Sequence, residues 1–543
     1  MLDAYSRTRT KHIACNRDGI AAGGKKLRIV TLNVCVVFAM AFACGCTSTR
    51  EWWQNGWKVG PNYGRPPAPV ANEWIDADDV RVRSESADHS EWWTVFNDPL
   101  LSTLVHNAYR QNLPLRVAGF RVLEARAQRA IAAGNLFPQS QQAFADYSRL
   151  EKPDRIGTSA PGQSFDVWQG GFNLAWELDF WGRFRRAVEA SDADLSASVE
   201  NYDDVLVTLV ADTATTYVEI RTYQQRLAVI KANVEAQKGS LQLAEVRFEN
   251  GKTTEVDVQQ AKANLARTES LILPLEISLR QAGNRLCVLC GIPPRDLQPE
   301  LGVLPIPGAP SDVVIGIPAE LIRRRPDVRR AERKLAAQSA RIGIATSELY
   351  PHIAITGMIG IEANDFADLF RSAATGGAIG PSLRWNILNH GRLLNNIRVH
   401  DARFQQLAVT YQNTVLRANE EVENALVAFL RSQDQVKRLT ESATAAERAV
   451  HITMRQYQEG KVDFNRVFDL QIFLAQQQDL QVKAMGEVVK SLINVYRALG
   501  GGWQIRYGAE PTGTTEPIPA PAEEIAPPPE VIFPPLSSNL NPR

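Results

Sequence analysis

The chain has 543 residues, enough for several ordinary domains, and carries 60 basic and 60 acidic residues. This balance gives no basic surface of the kind that binds nucleic acid, so a nucleic-acid-binding protein is excluded. Four of the six cysteines lie in the first 46 residues, which leaves the body of the chain without a disulfide framework.

The N-terminus is predicted to be an export signal covering residues 1–45. Basic residues precede an apolar stretch at 29–43, which is shorter than a comfortable membrane span. The stretch ends in Ala43-Cys44-Gly45-Cys46-Thr47-Ser48, which resembles a bacterial lipoprotein cleavage site. That resemblance implies lipidation of Cys46, with Cys44 as a weaker alternative, followed by an anchor and spacer over residues 46–90.

The body of the chain contains an internal duplication. The run that starts at Trp176 and ends at Arg183 has a counterpart 209 residues later, from Trp385 to Arg392. Repetition on this scale indicates one supersecondary unit present twice. We expect the first unit to occupy residues 91–300 and the second residues 301–505.

Each unit is predicted to contain the same elements in the same order. In the first unit these are a helix at 99–135, strands at 139–150 and 168–178 around a loop at 151–163, a long helix at 183–249, a glycine turn at Gly251 and a returning helix at 254–289. In the second they are a helix at 326–348, strands at 353–361 and 379–387 around a loop at 362–377, a long helix ending near Tyr457, a turn at Gly460 and a returning helix at 464–499.

The long helices carry a heptad pattern, which we call the seam. Apolar residues recur in steps of four and three from Leu195 to Phe248, and again from Phe404 to Tyr457. Such a sustained pattern is typical of coiled-coil packing, and a helix over 183–249 would span about 100 Å. A glycine between two helices predicts an antiparallel hairpin.

Two smaller features are interpreted as structural. The pair Cys287 and Cys290 could be a redox or metal motif, but no second pair or nearby His completes a ligand set. We interpret it as the buried end of a helix stopped by Gly291. The tail over 506–543, rich in Pro and Glu, is predicted to be disordered.

The four strand segments alternate between apolar and polar residues. Such strands fit an outer-membrane barrel, although a half-buried soluble sheet shows the same alternation. Four strands cannot close a barrel, and open edges are not tolerated in lipid. The membrane interpretation therefore requires oligomers, and three copies would supply twelve strands.

Taken together, these motifs resemble the TolC-like outer membrane factors of tripartite efflux systems, specifically the lipoproteins of the NodT family. The resemblance runs from Val59-Gly60-Pro61-Asn62-Tyr63 to Gly500-Gly501-Gly502-Trp503 and includes Trp92-Trp93, the run from Trp176 to Arg183, and Arg325-Pro326-Asp327. It implies a mainly α fold with a transmembrane β-barrel, a homotrimer with twelve strands and a long periplasmic helical tunnel. Residues 51–57 are a departure from the family, because they lengthen the spacer after Cys46.

The resemblance also implies a function. The chain would be a passive exit duct in the bacterial outer membrane, in contact with its lipid, which expels small molecules such as drugs, toxic compounds or metals. It would dock to a periplasmic adaptor and an inner-membrane pump, most simply of the RND type. We predict no cofactor, metal site or catalytic residue. The alternatives are a periplasmic coiled-coil lipoprotein tether without a channel and, more distantly, a secreted hydrolase.

Family matching assigns two sets of site residues. The predicted periplasmic gate comprises Asp257, Tyr457, Val462, Arg466 and Asp469. The predicted adaptor-docking tips comprise Gly251, Lys252, Thr253, Gly460, Lys461 and Val462. An ordinary solvated pair at Arg466 and Asp469 is the plain alternative. Val462 stands where some relatives have a basic residue.

Overall fold

The computed structural model describes residues 49–85, 88–151 and 164–508. Outside these residues lie the export signal with Cys44, the predicted lipidation residue Cys46, nearly all of the predicted loop at 151–163, and the tail from Ala509. The helices are α1 (Thr49–Gln54), α2 (Pro99–Gln111), α3 (Leu113–Gly134), α4 (Arg183–Glu249), α5 (Glu255–Ser270), α6 (Ile272–Leu289), α7 (Gln298–Leu301), α8 (Pro318–Arg324), α9 (Pro326–Ser347), α10 (Arg392–Gln458) and α11 (Phe464–Ala498). The strands are β1 (Val82–Arg83), β2 (Ser140–Glu151), β3 (Ser164–Glu177), β4 (Val313–Val314), β5 (His352–Ala363) and β6 (Thr375–Arg384).

The structure repeats where the sequence repeats. Helices α4 and α10 both have 67 residues. Each begins directly after a glycine in the left-handed region, Gly182 with φ 80° and Gly391 with φ 79°. The indole of Trp176 donates to the Leu136 carbonyl at 3.2 Å, and in the second half Trp385 donates to Leu349 at 2.9 Å. The duplication therefore preserves a contact between each strand pair and its leading helix.

Two of the predicted helices are broken. Residues 99–135 form α2 and α3, and residues 254–289 form α5 and α6. A proline inside a helix lacks an N–H and clashes with the carbonyl four residues earlier. Pro114 and Pro274 have this effect, and the breaks fall at Asn112 and Leu271. The returning helix α11 contains no proline and runs unbroken for 35 residues.

The four long strands form one antiparallel sheet in the order β2-β3-β5-β6. The register confirms the predicted apolar face, because Phe172 lies opposite both Ala143 and Ile359, and Ile353 lies opposite Leu383. Polar and small residues share the other face, as Gln169 shows by pairing with Asp146 and Glu362.

Strand β6 differs from its predicted position. It ends at Arg384, short of the predicted end at residue 387, and begins at Thr375, inside the predicted loop. Trp385 has left the strand to donate its indole N–H to Leu349. The connection between β5 and β6 is consequently shorter than the predicted 362–377.

The core follows the seam of the two long helices. In α10 the seam residues Tyr411, Val422 and Phe429 are buried, while in α4 the buried seam residues run from Leu206 to Ala244. Phe248, the last seam position of α4, is 44% exposed, so the seam there is open to a neighbour. None of the helices in the described ranges is both long and apolar enough to cross a membrane.

The Cys287 and Cys290 thiols are free and buried at the end of α6. Gly291 follows this helix with φ 70°. The Gln111 carbonyl lies so close that a side chain at position 291 would collide with it. Burial raises the pKa of Cys290 to about 12, which makes this thiol unreactive at neutral pH. These properties fit the structural interpretation of the pair.

Candidate functional site

Both hairpins reverse through the same backbone turn. In the first tip, residues 251–254, the Lys252 N–H donates to the Arg247 carbonyl at 2.8 Å. In the second tip, residues 460–463, the Lys461 N–H donates to Gln456 at the same distance. Gly251 (φ 66°) and Gly460 (φ 74°) adopt the left-handed conformation that this helix ending requires. The sequence thus predicted both turns correctly at the residue level.

A small apolar cluster, which we call the tip cluster, holds the ends of the two hairpins together. Its buried members are Ala244, Val258, Ala261, Tyr457, Phe464 and Val467. The rings of Tyr457 and Phe464 meet edge to face with centroids 5.4 Å apart. Val462 packs against the cluster and is half-buried. The second tip is therefore anchored on helices of both hairpins.

Arg247, in the last turn of α4, adds a polar link between the hairpins. Its guanidinium lies 4.7 Å from the centroid of the Tyr457 ring. It also donates to the carbonyls of Tyr457 at 2.7 Å and Gln458 at 3.0 Å. These carbonyls end α10, where the helix dipole favours a cation. Sequence reasoning missed Arg247, because nothing local showed that it faces the second hairpin.

Asp257 and Tyr457, two predicted gate residues, lie close to one another. The Thr253 hydroxyl donates to the Asp257 carboxylate. Burial and the nearby Asp257 charge raise the pKa of Tyr457, an effect that Arg247 partly offsets. The Tyr457 hydroxyl is buried near Thr253 and Asp257 without a hydrogen bond of good geometry.

Arg466 and Asp469 lie apart from this group. Both are exposed on α11, and within the described part of the chain neither forms an ion pair. Their side chains therefore face away from the tip cluster.

Further from the tips, polar side chains join the returning helices to α4. The Gln471 amide donates to Ser240 at 2.7 Å and accepts from Asn264 at 3.3 Å, so three helices share one buried network. Arg226 then forms a two-pronged ion pair with Asp479 at 2.7 and 2.9 Å. The hairpins thus pack through specific polar contacts as well as the seam.

Comparison with known proteins assigns the family. The model of the family described as "Outer membrane efflux protein" matches residues 104–291 and 317–501. The chain belongs to this family.

Three similar proteins illustrate the relationship. Nodulation protein T of Rhizobium leguminosarum bv. trifolii is 29% identical over 460 residues, covering 83% of this chain and 95% of the relative. The probable outer membrane lipoprotein SilC of Salmonella typhimurium is 27% identical over 484 residues, or 88% and 99% of the two chains. The solved outer-membrane channel OprN superposes with a TM-score of 0.78 at 33% identity, covering 82% of this chain and 99% of that one.

These comparisons confirm the predicted NodT-like outer membrane factor and its fold of long helical hairpins with four strands. The chain is an outer-membrane duct of a tripartite efflux system. Its relatives are efflux and channel proteins rather than enzymes. Membership implies an adaptor and an inner-membrane pump as partners.

Proposed function

We propose that three copies of the chain, each built from the units 91–300 and 301–505, close a twelve-stranded barrel that continues into a helical tunnel. The unpaired sheet edges carry this proposal. In the described residues β2 pairs only with β3, and β6 pairs only with β5. Lipid offers no hydrogen bonds to such edges, so β2 of one protomer must pair with β6 of the next.

An exposed apolar stripe on α3 supports the same assembly. Large side chains at helical spacing are half or more exposed, namely Leu113, Val117, Phe120, Leu123 and Ile131. Patches of this kind mark surfaces that another element covers. A neighbouring protomer would cover this stripe just outside the barrel.

We propose that the two tips dock to the periplasmic adaptor, with an RND-type pump beyond it. A helix of 67 residues is about 100 Å long, so the tips lie at the far end from the sheet. The first tip presents Lys252, and the second presents Lys461, which pairs with Glu459 at 2.5 Å. Drugs, toxic compounds or metals chosen by the pump would pass through the lumen along the polar and small face of the sheet.

We propose that the resting duct is closed near the tips. Asp257, Tyr457 and Val462 lie together at the tip cluster, and Arg247 links the two hairpins there. Arg466 and Asp469 would then act between protomers, because both are exposed.

Cys46, with Cys44 as the weaker acceptor, would carry the lipid, and the lipoprotein SilC among the relatives supports this.

The trimeric channel is tested by gel migration of the full chain. A barrel trimer should resist SDS at room temperature and dissociate to monomer on boiling. A coiled-coil tether would run as a monomer in both samples, and that result would reject the barrel.

Impermeant thiol reagents in intact cells test the orientation, in which the loop at 151–163 faces outside the cell and the tips face the periplasm. A cysteine at Ser159 should react, whereas one at Lys252 should not.

A further inference from the structure

The spacer at residues 51–57, which we interpret from the sequence as an insert, contains three tryptophans. Trp52 and Trp53 belong to α1, and Trp57 ends the turn that leaves this helix. We call these residues the tryptophan insert. Its aromatic content is unusual, since the whole chain has 11 tryptophans.

The insert is fixed to the body of the protein. Trp52 packs on Phe180 and Trp181, with ring centroids 5.2 and 5.7 Å away. Trp181 in turn stacks on Tyr350 at 4.5 Å. The Arg185 guanidinium donates to the carbonyls of Gly56 at 2.5 Å and Trp57 at 2.8 Å. The insert is therefore an ordered surface with a defined orientation.

Two of its indoles are only partly covered, although Trp57 stacks on Trp52 with ring centroids 5.6 Å apart. Trp53 is 66% exposed and Trp57 is 44% exposed, and their rings lie 5.7 Å apart. A tryptophan side chain buries roughly 150–250 Å² when it finds a partner, so leaving two adjacent indoles in water is unfavourable. Such a pair needs an apolar or interfacial environment.

The position of the insert indicates which environment this is. Phe180 and Trp181 follow the end of β3, and Tyr350 precedes the start of β5. Strands β3 and β5 are the inner pair of the sheet, whereas neighbouring protomers would join at β2 and β6. The insert thus lies at the base of the membrane sheet, away from both subunit edges.

The second repeat has no equivalent surface. Its residues at the positions of Phe180 and Trp181 are Asn389 and His390. The exposed apolar residues there are Ile387 and Leu388, which follow the edge strand β6. In the proposed trimer a neighbouring protomer would cover Ile387 and Leu388, whereas the tryptophan insert would stay uncovered.

We propose that Trp53 and Trp57 lie in the phospholipid headgroup region of the inner leaflet, so that the insert is a membrane contact independent of acylation. Indole rings favour this interface because their body is apolar and their N–H is polar. Cys46 precedes α1 by three residues, a reach of roughly 10 Å, so a lipid on Cys46 would hold α1 close to the leaflet without being required for the contact. The proposal rests on the membrane sheet of the proposed function, but not on its gate.

Site-directed spin labelling tests the proposal on the full mature chain. Trp53→Cys, Trp57→Cys and Lys252→Cys would be made separately in the chain that begins at residue 46, with Cys46 replaced by Ser. Each would be labelled and reconstituted in phosphatidylethanolamine–phosphatidylglycerol vesicles. Collisions with oxygen should exceed those with a water-soluble nickel chelate at positions 53 and 57. The order should reverse at Lys252, an exposed position at the first tip.

Two outcomes would overturn the proposal. Nickel accessibility at 53 and 57 equal to that at Lys252 would place the insert in water. Low accessibility to both reagents would place it under a neighbouring subunit. Heat-modifiable trimers in every variant would show that the channel itself is intact, which separates this failure from failure of the proposed function. As a second measurement, brominated phospholipid should quench the tryptophan fluorescence of the parent protein by a larger fraction than that of the double variant Trp53→Phe, Trp57→Phe.

Discussion

Replacing Arg247 by Ala is expected to open the duct. The change removes two hydrogen bonds to the last carbonyls of α10 and the contact with the Tyr457 ring. Because the tip is partly hydrated, each hydrogen bond is worth about 1 kcal/mol and the cation–π contact about 0.5–1 kcal/mol. The closed arrangement should therefore lose about 2–3 kcal/mol per protomer, a shift of about 30- to 150-fold in its equilibrium with the open one.

The assay is single-channel conductance of the purified protein in planar bilayers. Arg247→Ala should raise conductance or the time spent open, and cells carrying it should become sensitive to a large antibiotic such as vancomycin. Arg247→Lys should be intermediate, because an ammonium lacks the planar fork that reaches two carbonyls and stacks on a ring.

Arg455→Ala is the matched control. Arg455 also lies in the last turn of its helix, α10, but it is exposed and outside the tip cluster. The Arg455→Ala substitution removes the same positive charge but leaves the contacts of Arg247 between the hairpins intact. If Arg247→Ala conducts no better than Arg455→Ala, the hairpin link does not hold the duct closed and the reasoning is refuted.

Three further predictions concern the gate, the tips and stability. Asp469→Ala with Arg466→Ala should raise conductance through lost contacts between protomers, each worth about 0–1 kcal/mol; parental conductance would place the gate elsewhere. Gly251→Val or Gly460→Val should abolish export while trimers persist on gels, because a β-branched residue strains the left-handed turn; normal export in both variants would reject tip docking. Burial raises the pKa of Asp203 to about 7, and a nearby arginine partly opposes this. The folded protein then holds a proton that the unfolded chain releases near pH 4, so heat stability should fall from about pH 4 to about pH 7. Asp203→Asn should flatten that slope in heat-dissociation gels, and an unchanged slope would contradict the assignment.

The sequence alone determined the features that depend on local periodicity and backbone conformation. The seam indicated two long helices because apolar residues spaced alternately four and three apart share one face of an α-helix. Alternation fixed which face of each strand is apolar, and Gly251 and Gly460 fixed the turns because left-handed backbone favours glycine. The helix breaks near Pro114 and Pro274 were also local, and a proline rule applied at each position would have found them.

The tertiary structure decided which of these elements meet. Arg466 and Asp469 have the spacing of an ion pair, yet their surroundings leave both exposed and unpaired in the protomer. Arg247 has no local signal, and it reaches Tyr457 only because α4 and α10 end side by side. Contacts between residues about 210 positions apart depend on how helices pack, which no short window of sequence contains.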